Sequence, residues 1–294
     1  MSRASRLKDL IAQPEILVVP GAFDAVSARL VERVGFGACY MTGAGTVTAL
    51  AALPDIGLLS VTEMATNARY IANAVTIPVF ADADTGYGNA INVMRTVREY
   101  EQAGLAGLHI EDQVSPKKCG HVAGKECISM DEMVGKIRAA VAARTDPDFV
   151  VIARTDSKAP LGFDEAVRRG RAYRAAGADV IFPEALQTRE EFAEYAKAVQ
   201  APLLANMTEF GKTPYMTARD FEALGYSIVI FAASSMRVAL KAMLDFYADL
   251  MVAGTQQGWL DRMMTRAEQY ELIDYASYTE HEREFLGEAT QPLS

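Results

Sequence analysis

The stretch VFADADTGYGNAINVMRTVREYEQAGLAGLHIED, residues 79–112, has the pattern of a strand, a helix and a second strand. Its two ends, 79–84 and 107–112, are short apolar runs that finish on acidic residues, and apolar side chains recur with helical period over 90–104. Runs that are apolar throughout are typical of strands buried on both faces of a parallel sheet. The stretch therefore predicts two parallel strands joined by a helix.

The same alternation continues in both directions along the chain. Six further apolar runs occupy residues 17–20, 38–42, 150–156, 180–184, 203–208 and 228–232, and further helical patterns occupy 130–144, 163–177 and 188–199. Eight strands alternating with helices predict an α/β fold, a (β/α)8 TIM barrel. We expect residues 1–294 to form a single barrel domain, with residues from about 237 to 294 as a C-terminal helical extension.

An open, doubly wound sheet is the alternative fold. Such a sheet normally carries a glycine-rich phosphate-binding loop after its first strand. This chain instead has Pro20-Gly21-Ala22-Phe23-Asp24 at that place, which favours the barrel.

Composition narrows the class of protein. The 294 residues carry a formal net charge of −9, and Lys and Arg are interspersed with acids, which argues against nucleic-acid binding. The sequence has neither an uninterrupted apolar run of spanning length nor the apolar core of a secretory signal at its N-terminus. Three cysteines, an odd and small number, argue against a disulfide framework. We expect a cytoplasmic enzyme that acts on a small molecule, with no nucleic-acid or membrane partner.

Polar residues of both charge signs follow the predicted strands. The candidates at these strand ends are Asp82, Asp84, Glu111, Arg154, Glu184, Asn206 and Thr208. In a barrel the carboxyl ends of the strands meet at one face, where active sites lie. This pattern predicts a catalytic site for an anionic substrate, and Arg154 is a candidate to bind a substrate carboxylate.

Asp82 and Asp84 predict a metal site. Two carboxylates two residues apart on a strand face the same side and repel one another unless a cation lies between them. Mg²⁺ prefers oxygen ligands and keeps several waters, so it suits this pair, with Glu111 as a third acid that acts directly or through water. We expect Mg²⁺, with Mn²⁺ as a substitute.

A reactive thiol is predicted in the loop Lys117-Lys118-Cys119-Gly120-His121. Neighbouring cations favour the thiolate, and such a cysteine exchanges a proton near neutral pH. Gly120 permits unusual backbone angles, so the loop is predicted to be a lid that carries Cys119, assisted by Lys118 and His121. Cys39, Cys127 and His109 are interpreted as packing residues.

Together these motifs resemble those of the isocitrate lyase and phosphoenolpyruvate mutase superfamily, from about residue 18 to residue 275. The segments that carry the resemblance are Asp82–Gly88, His109-Ile110-Glu111-Asp112-Gln113, Lys117–His121, Ala153-Arg154-Thr155-Asp156, Phe182-Pro183-Glu184-Ala185 and Asn206-Met207-Thr208-Glu209-Phe210-Gly211. The resemblance implies a barrel whose eighth helix is exchanged between subunits of a homotetramer, and Mg²⁺ that binds α-oxycarboxylates.

The resemblance also implies roles for individual residues. Asp55 would join the metal site as a further acid, and Tyr40 would take the proton of the substrate hydroxyl. The remaining substrate-binding positions would be Thr42, Gly43, Ala44, Gly120, Arg154, Glu184, Asn206, Thr208, Arg237 and Arg266. Cys119 would protonate the carbanion left after C–C cleavage.

Within the superfamily the segments around Arg237 and Arg266 resemble the methylisocitrate lyase branch. That branch implies a retro-aldol cleavage of 2-methylisocitrate, a tricarboxylate, to pyruvate and succinate. Met41–Thr46 and Ile230-Phe231-Ala232-Ala233 depart from its pattern, and the first of these is more similar to the dimethylmalate lyases and the mutases. The first alternative is therefore a lyase of 2,3-dimethylmalate, which is a dicarboxylate, or of another 2-hydroxy acid. The second is a carboxyphosphoenolpyruvate or phosphonate mutase. A barrel that merely binds organic acids is disfavoured by Cys119.

Overall fold

A computed structural model describes residues 1–120 and 124–286. The strands among these residues are β1 (Leu17–Ala22), β2 (Cys39–Met41), β3 (Val79–Asp82), β4 (Gly107–Glu111), β5 (Val150–Thr155), β6 (Val180–Pro183), β7 (Leu204–Asn206) and β8 (Ile228–Phe231). The helices are α1 (Arg3–Ile11), α2 (Ala25–Val34), α3 (Gly43–Ala51), α4 (Val61–Ala74), α5 (Ala90–Gln102), α6 (Met130–Ala143), α7 (Lys158–Leu161), α8 (Phe163–Ala175), α9 (Arg189–Val199), α10 (Ala218–Ala223), α11 (Ser234–Ala253), α12 (Arg266–Leu272) and α13 (Tyr275–Leu286), with a 3-10 turn at Gln257–Arg262.

The strands form one parallel sheet that closes on itself. Their order is β6-β5-β4-β3-β2-β1-β8-β7, and a parallel bridge between Ile181 and Leu203 joins the two outer strands. Every residue of β3, β4 and β5 is buried, as expected for strands with side chains packed on both faces. The predicted (β/α)8 barrel is confirmed, and the eight apolar runs correspond to the eight strands.

Local sequence explains where several helices begin. Asn89 accepts hydrogen bonds from the backbone N–H groups of Ile91 and Asn92 at the start of α5, and Ser60 with Glu63 forms a reciprocal cap at the start of α4. These caps fix the points at which α4 and α5 begin. The patterns quoted above predict α5, α6, α8 and α9, but they do not predict α1 or α3.

The chain consists of two compact units, Met1–Arg237 and Val238–Ser294. The first contains all eight strands of the described chain. In the second, the indole of Trp259 donates a hydrogen bond to Asp249 Oδ2 over 2.8 Å and packs edge-on against Phe246. The predicted C-terminal helical extension is present. Of the helices in residues 1–120 and 124–286, none has the length and apolar character needed to cross a membrane.

Candidate active site

One pocket opens at the carboxyl ends of the barrel strands. Predicted site residues that line it are Tyr40, Thr42, Ala44, Asp55, Asp82, Cys119, Gly120, Arg154, Glu184, Asn206, Thr208 and Arg237. Phe182, Ile230, Ala232 and Ala233 complete the lining with apolar surface, and none of the four was among the predicted site residues. Side chains separated by almost 200 positions in sequence thus share one cavity because the barrel brings its strand ends together.

The pocket floor is a buried group of acids around one lysine. Lys117 Nζ lies 2.5 Å from Asp55 Oδ1 and 2.9 Å from Asp84 Oδ1. Asp82 Oδ1 accepts a hydrogen bond from the backbone N–H of Asp84 over 2.9 Å. Burial disfavours the ammonium, but Glu111, Asp84 and Asp82 outweigh it and raise the pKa of Lys117 well above its ordinary value. The lysine is therefore a permanent cation among the acids.

The backbone conformation places the carboxylates of Asp82 and Asp84 close to neighbouring groups. Asp84 has a φ of 47°, a left-handed conformation that is uncommon outside glycine and concentrates at functional sites. A Cβ at Gly43 would lie 2.3 Å from Asp82 Oδ2, so only glycine permits α3 to start this close to the carboxylate. Thr42, predicted as a substrate donor, also caps α3 by accepting a hydrogen bond from Gly45 N over 3.2 Å.

Charge and burial give the two aspartates different acidities. Burial raises the pKa of Asp84 to about 6, with Lys117 opposing the effect and Asp82 and Asp55 adding to it. Burial also acts on Asp82, but His109, Lys117 and Arg154 hold its pKa below the ordinary value. Burial lowers the pKa of His109 to about 4, so the imidazole is neutral near pH 7. At that pH the lowered pKa of Asp82 is therefore due to Lys117 and Arg154.

The chemistry of this floor fits a magnesium ion. In the described parts of the chain no three His, Cys, Asp or Glu side chains converge to form a complete protein cage. Mg²⁺ is usually held by one or two carboxylates together with waters and substrate oxygens, so Asp82 and Asp84 are sufficient protein ligands. The floor already holds the ammonium of Lys117, which shows that a cation is stable there.

Tyr40 and His109 form a buried pair beside the floor. Tyr40 Oη lies 2.8 Å from His109 Nε2 and 3.5 Å from Asp82 Oδ2. Burial and Asp82 raise the pKa of Tyr40 well above its ordinary value, so the phenol stays protonated. His109 Nδ1 is buried without a hydrogen-bond partner among the described residues. His109 is thus in contact with a predicted catalytic residue, whereas the sequence pattern indicated a packing residue.

Arg154 is the centre of a second buried network. Its Nε lies 2.9 Å from Asp156 Oδ2 and 3.1 Å from Glu111 Oε2, and its Nη2 lies 3.4 Å from Glu184 Oε2. The guanidinium also lies over the Phe182 ring, 5.1 Å from its centroid. These contacts fix the orientation of a bidentate donor at the pocket wall.

The loop that carries Cys119 lies over this network. A Cβ at Gly120 would come within 2.6 Å of Arg154 Nη2 and of Glu184 Cγ, so the loop backbone touches the pocket wall directly. Lys118 Nζ donates to the Gly124 carbonyl over 2.5 Å, and Lys117 is turned to the acidic floor. The sequence pattern predicted both lysines beside the thiol; in the structure each ammonium is instead bound to another group.

The rim of the pocket contains a more exposed pair. Arg237 Nη1 lies 2.6 Å from Glu209 Oε2 and donates to the Glu209 carbonyl over 2.9 Å. Ser234 Oγ donates to the other carboxylate oxygen of Glu209. Asn206 Oδ1 is a buried oxygen without a hydrogen-bond partner in the described chain, and Asn206 is part of the pocket lining. The rim therefore offers one arginine and one amide oxygen without a partner in the described chain to a ligand.

The remaining predicted residues are placed as follows. Gly43, Asp84 and Glu111 are buried next to the lining, and Lys118 is exposed on the loop. Arg266 is the first residue of α12 in the second unit. His121 lies outside the described residues. Lys117 and the apolar lining are further candidate positions that were not among the predicted site residues. The charge of Lys117 was visible in the sequence, but the direction of its side chain was not.

Barrel, pocket and polar strand ends define the class: this is a (β/α)8-barrel enzyme with a candidate site at the carboxyl face of the sheet. Comparison with known proteins then gives the family. The profile of the family described as phosphoenolpyruvate phosphomutase matches residues 7–251, and the chain belongs to that family.

Individual relatives support the assignment along nearly the whole chain. The chain is 50% identical to 2-methylisocitrate lyase of Aeropyrum pernix, over 98% of this chain and 92% of the relative. It is 47% identical to 2,3-dimethylmalate lyase of Eubacterium barkeri, over 97% and 99% respectively. The solved structure of oxaloacetate acetylhydrolase with the inhibitor 3,3-difluorooxalacetate superimposes with a TM-score of 0.93 at 38% identity, covering 98% of this chain and 99% of that one. Within the family the chain is a carbon–carbon lyase.

Proposed function

We propose that the protein cleaves 2-methylisocitrate to pyruvate and succinate in a Mg²⁺-dependent retro-aldol reaction. The observation that carries the proposal is one pocket in which a buried acidic floor, Arg154, a thiol and a rim arginine are all present. Retro-aldol cleavage needs these functions: charge stabilisation at the oxygen-rich end, a proton acceptor, a proton donor to carbon and a binding group for the far carboxylate.

Asp82 and Asp84 would hold Mg²⁺, with Asp55 and Glu111 close by. When bound, the ion would supply positive charge to the hydroxyl and carboxylate of the pyruvate-forming half. Arg154 would bind the same carboxylate through its guanidinium, whose orientation Asp156 and Glu111 fix. Thr42, Gly43 and Ala44 line or adjoin this end and would donate hydrogen bonds to it.

Tyr40 and Cys119 would move the two protons. Because its pKa is raised, Tyr40 would act as a neutral phenol that receives the hydroxyl proton as it passes its own to His109 Nε2. The C–C bonding pair then moves onto the carbon of the succinate half, and the enolate-type carbanion takes a proton from Cys119 Sγ. The other side of the pocket, with Glu184, Asn206, Thr208 and Arg237, would hold that half.

The apolar lining has a place in this scheme. Phe182, Ile230 and Ala232 share the cavity with the charged groups and would accept the methyl group of the substrate. Contact with one methyl group contributes about 0.8 kcal/mol or more when it is fully buried, enough to favour the methylated acid over isocitrate by a few-fold.

Cleavage of 2,3-dimethylmalate is the second candidate function. Arg237 is already bound to Glu209, which leaves less positive charge at the rim for a third carboxylate, and this favours a dicarboxylate substrate. The 2,3-dimethylmalate lyase of Eubacterium barkeri also matches over almost its full length. A phosphonate mutase is the third candidate, but it has no evident use for a thiol beside the pocket wall.

A substrate panel tests these alternatives. Purified enzyme with Mg²⁺ would be given 2-methylisocitrate, 2,3-dimethylmalate, isocitrate and oxaloacetate, and pyruvate, propionate, glyoxylate, oxalate and succinate would be measured. We expect the largest kcat/KM for 2-methylisocitrate, with equimolar pyruvate and succinate. A larger value for 2,3-dimethylmalate, with equimolar pyruvate and propionate as products, would replace the first candidate by the second. Loss of all turnover on chelation, restored by Mg²⁺ or Mn²⁺, is expected in either case.

We further propose a cytoplasmic homotetramer of single-barrel chains in which α11 is exchanged between subunits. The support is the apolar surface of α11, where the exposed large side chains include Leu240, Met243, Leu244, Tyr247 and Met251. A helix that is apolar over most of its surface is usually buried in an assembly. Light scattering on the purified protein should give four times the chain mass, and a monomer would contradict the proposal.

A further inference from the structure

The loop backbone is held on both sides of Cys119 by two buried side chains that the proposed chemistry does not use. On the N-terminal side, Gln113 Nε2 donates to the Lys118 carbonyl over 2.8 Å, and its Oε1 accepts from the Lys118 N–H over 3.0 Å. The same Nε2 lies 2.9 Å from Glu111 Oε1. One amide therefore fixes both backbone groups of the residue before Cys119 and joins them to the pocket floor.

On the C-terminal side, Lys125 has the corresponding position. Its Nζ donates to the Gly120 carbonyl over 2.6 Å and to Asp156 Oδ1 over 2.7 Å, and its side chain is 1% exposed. A lysine with so little exposure is uncommon unless its charge is paired, and here the partner is a fully buried aspartate. The ammonium thus joins the residue after Cys119 to the core of the barrel.

The two anchors meet at one guanidinium. Gln113 reaches Glu111, Lys125 reaches Asp156, and both of these carboxylates pair with Arg154, at 3.1 Å and 2.9 Å from its Nε. A continuous chain of hydrogen bonds and ion pairs therefore runs from Lys118 through Glu111, Arg154 and Asp156 to Gly120.

We infer that Gln113 and Lys125 are positioning residues that set the thiol of Cys119 relative to the guanidinium of Arg154. The inference rests on the proposed function for what the thiol does. We call the hydrogen bonds by which Gln113 and Lys125 hold the loop backbone the clamp, and the clamp rests on the observed contacts alone. If Arg154 holds one half of the substrate and Cys119 protonates the other, the distance between them decides whether the proton reaches its carbon. A misplacement of about 1 Å costs about a hundredfold in rate.

A purely structural role for Lys125 would be the neutralisation of Asp156. The two roles differ in what Lys125→Met changes in the folded protein. Neutralisation alone affects stability, whereas the clamp also sets the mobility of the loop and hence the access of reagents to Cys119.

The experiment uses the full-length enzyme with Mg²⁺ and three kinds of variant. Lys125→Met removes the ammonium and keeps the apolar stem, Lys125→Arg keeps a cation, and Gln113→Leu removes the other anchor. Lys158→Met is the matched control, because Lys158 is also a sheltered lysine paired with a carboxylate, Glu191 at 2.9 Å, and within the described residues it forms no ion pair with the loop. The readouts are kcat, KM, the unfolding midpoint and the rate at which iodoacetamide alkylates Cys119, followed by mass spectrometry of its peptide.

We expect Lys125→Met and Gln113→Leu to alkylate about tenfold faster than wild type at a temperature where both are folded. In both, kcat should fall about a hundredfold while KM changes much less. Lys125→Arg should recover most of both losses, and Lys158→Met should match wild type. Wild-type alkylation and kcat in folded Lys125→Met would overturn the inference, and so would a lowered unfolding midpoint with an unchanged alkylation rate.

Should Lys125→Met fail to fold, Gln113→Leu and Lys125→Arg carry the same test. Failure of the proposed function is distinguishable, because wild type would then cleave none of the four acids while the alkylation rates would still report on the clamp.

Discussion

The floor and the rim of the pocket hold their charges in opposite ways. Asp82, Asp84 and Lys117 on the floor and Arg154 on the adjoining wall are all buried, and each charge depends on its neighbours. At the rim, the side chain of Arg237 is 40% exposed and that of its partner Glu209 is 26% exposed. Removing one member of a buried pair leaves an uncompensated charge, whereas an exposed pair is screened by water. This difference in burial supports the proposal that the floor and the adjoining wall carry the reaction and that the rim selects the substrate.

Replacement of the thiol should have the largest effect. Cys119→Ser keeps the size of the side chain but loses the acidity needed to protonate a carbanion, so kcat should fall by about 10³- to 10⁴-fold with little change in KM. Steady-state pyruvate release with 2-methylisocitrate is the assay. Cys127→Ser is the control, since that side chain contacts Asp112 and is not part of the pocket lining, and it should remain active. Unchanged turnover of Cys119→Ser would remove the acid–base role.

Loss of one floor carboxylate comes next. Asp84→Asn should lower kcat/KM about a thousandfold, because metal-derived charge stabilisation of several kcal/mol corresponds to about that factor. Titration calorimetry with Mn²⁺ should show a matching loss of metal affinity. Normal metal binding with lost activity would place the ion elsewhere.

Replacement of Lys117 on the floor should chiefly lower the stability of the folded protein. Lys117→Met leaves Asp55 and Asp84 without their cation, which should lower the free energy of unfolding by about 3–5 kcal/mol when no metal is present. Mg²⁺ should restore part of this loss by taking up position among the same acids. Urea unfolding with and without Mg²⁺ measures both effects, and a Mg²⁺-independent loss would argue against a shared cation site.

The rim arginine should have a smaller and substrate-dependent effect. Arg237→Met should raise KM for a tricarboxylate about tenfold, the value of a charge-assisted hydrogen bond, and leave KM for 2,3-dimethylmalate nearly unchanged. Arg189→Met is a matched control, since Arg189 is an exposed arginine paired with Asp220 at 2.7 Å. An equal loss for both substrates would mean that the rim does not select between them.

The same contrast explains what the sequence could predict. Strand ends such as Asp82, Glu111 and Arg154 could be assigned because an apolar run followed by a charge fixes both the element and the edge of the sheet on which the charge lies. The direction of a long side chain cannot be read in this way. Lys117 was assigned to the thiol by sequence proximity, whereas contacts with Asp55, 62 residues away, determine where its ammonium lies.

Other features depend on distant partners in the same manner. Glu209 was quoted only as part of a motif, and its ion pair with Arg237 forms across 28 residues through the arrangement of the last two strands. The hydrogen bond from Lys125 to Gly120 and the ion pair of Lys125 with Asp156 could not be predicted from the sequence either. The three residues are not neighbours in the chain and do not belong to one element. Local patterns therefore predicted the strands, several of the helices and most of the lining, and the pairing of charges needed the structure.

The pH dependence of metal binding should be the smallest effect. With a folded-state pKa of about 6, Asp84 is protonated below that pH and cannot serve as a metal ligand. The apparent Mg²⁺ affinity should therefore fall as the pH falls through 6, by about fivefold between pH 6 and pH 5, and level off above pH 7. Calorimetric titrations across this range test the prediction, and a flat profile would contradict it.

The most direct test of the proposed mechanism is to follow the proton that Cys119 is proposed to deliver to the carbanion of the succinate half. Wild-type enzyme, Mg²⁺ and 2-methylisocitrate would be incubated in D₂O, and the products followed by NMR. The account predicts equimolar pyruvate and succinate, with one deuterium bound to carbon in each succinate, and about 10³-fold slower formation of both by Cys119→Ser. Succinate without carbon-bound deuterium, or the absence of pyruvate, would contradict it.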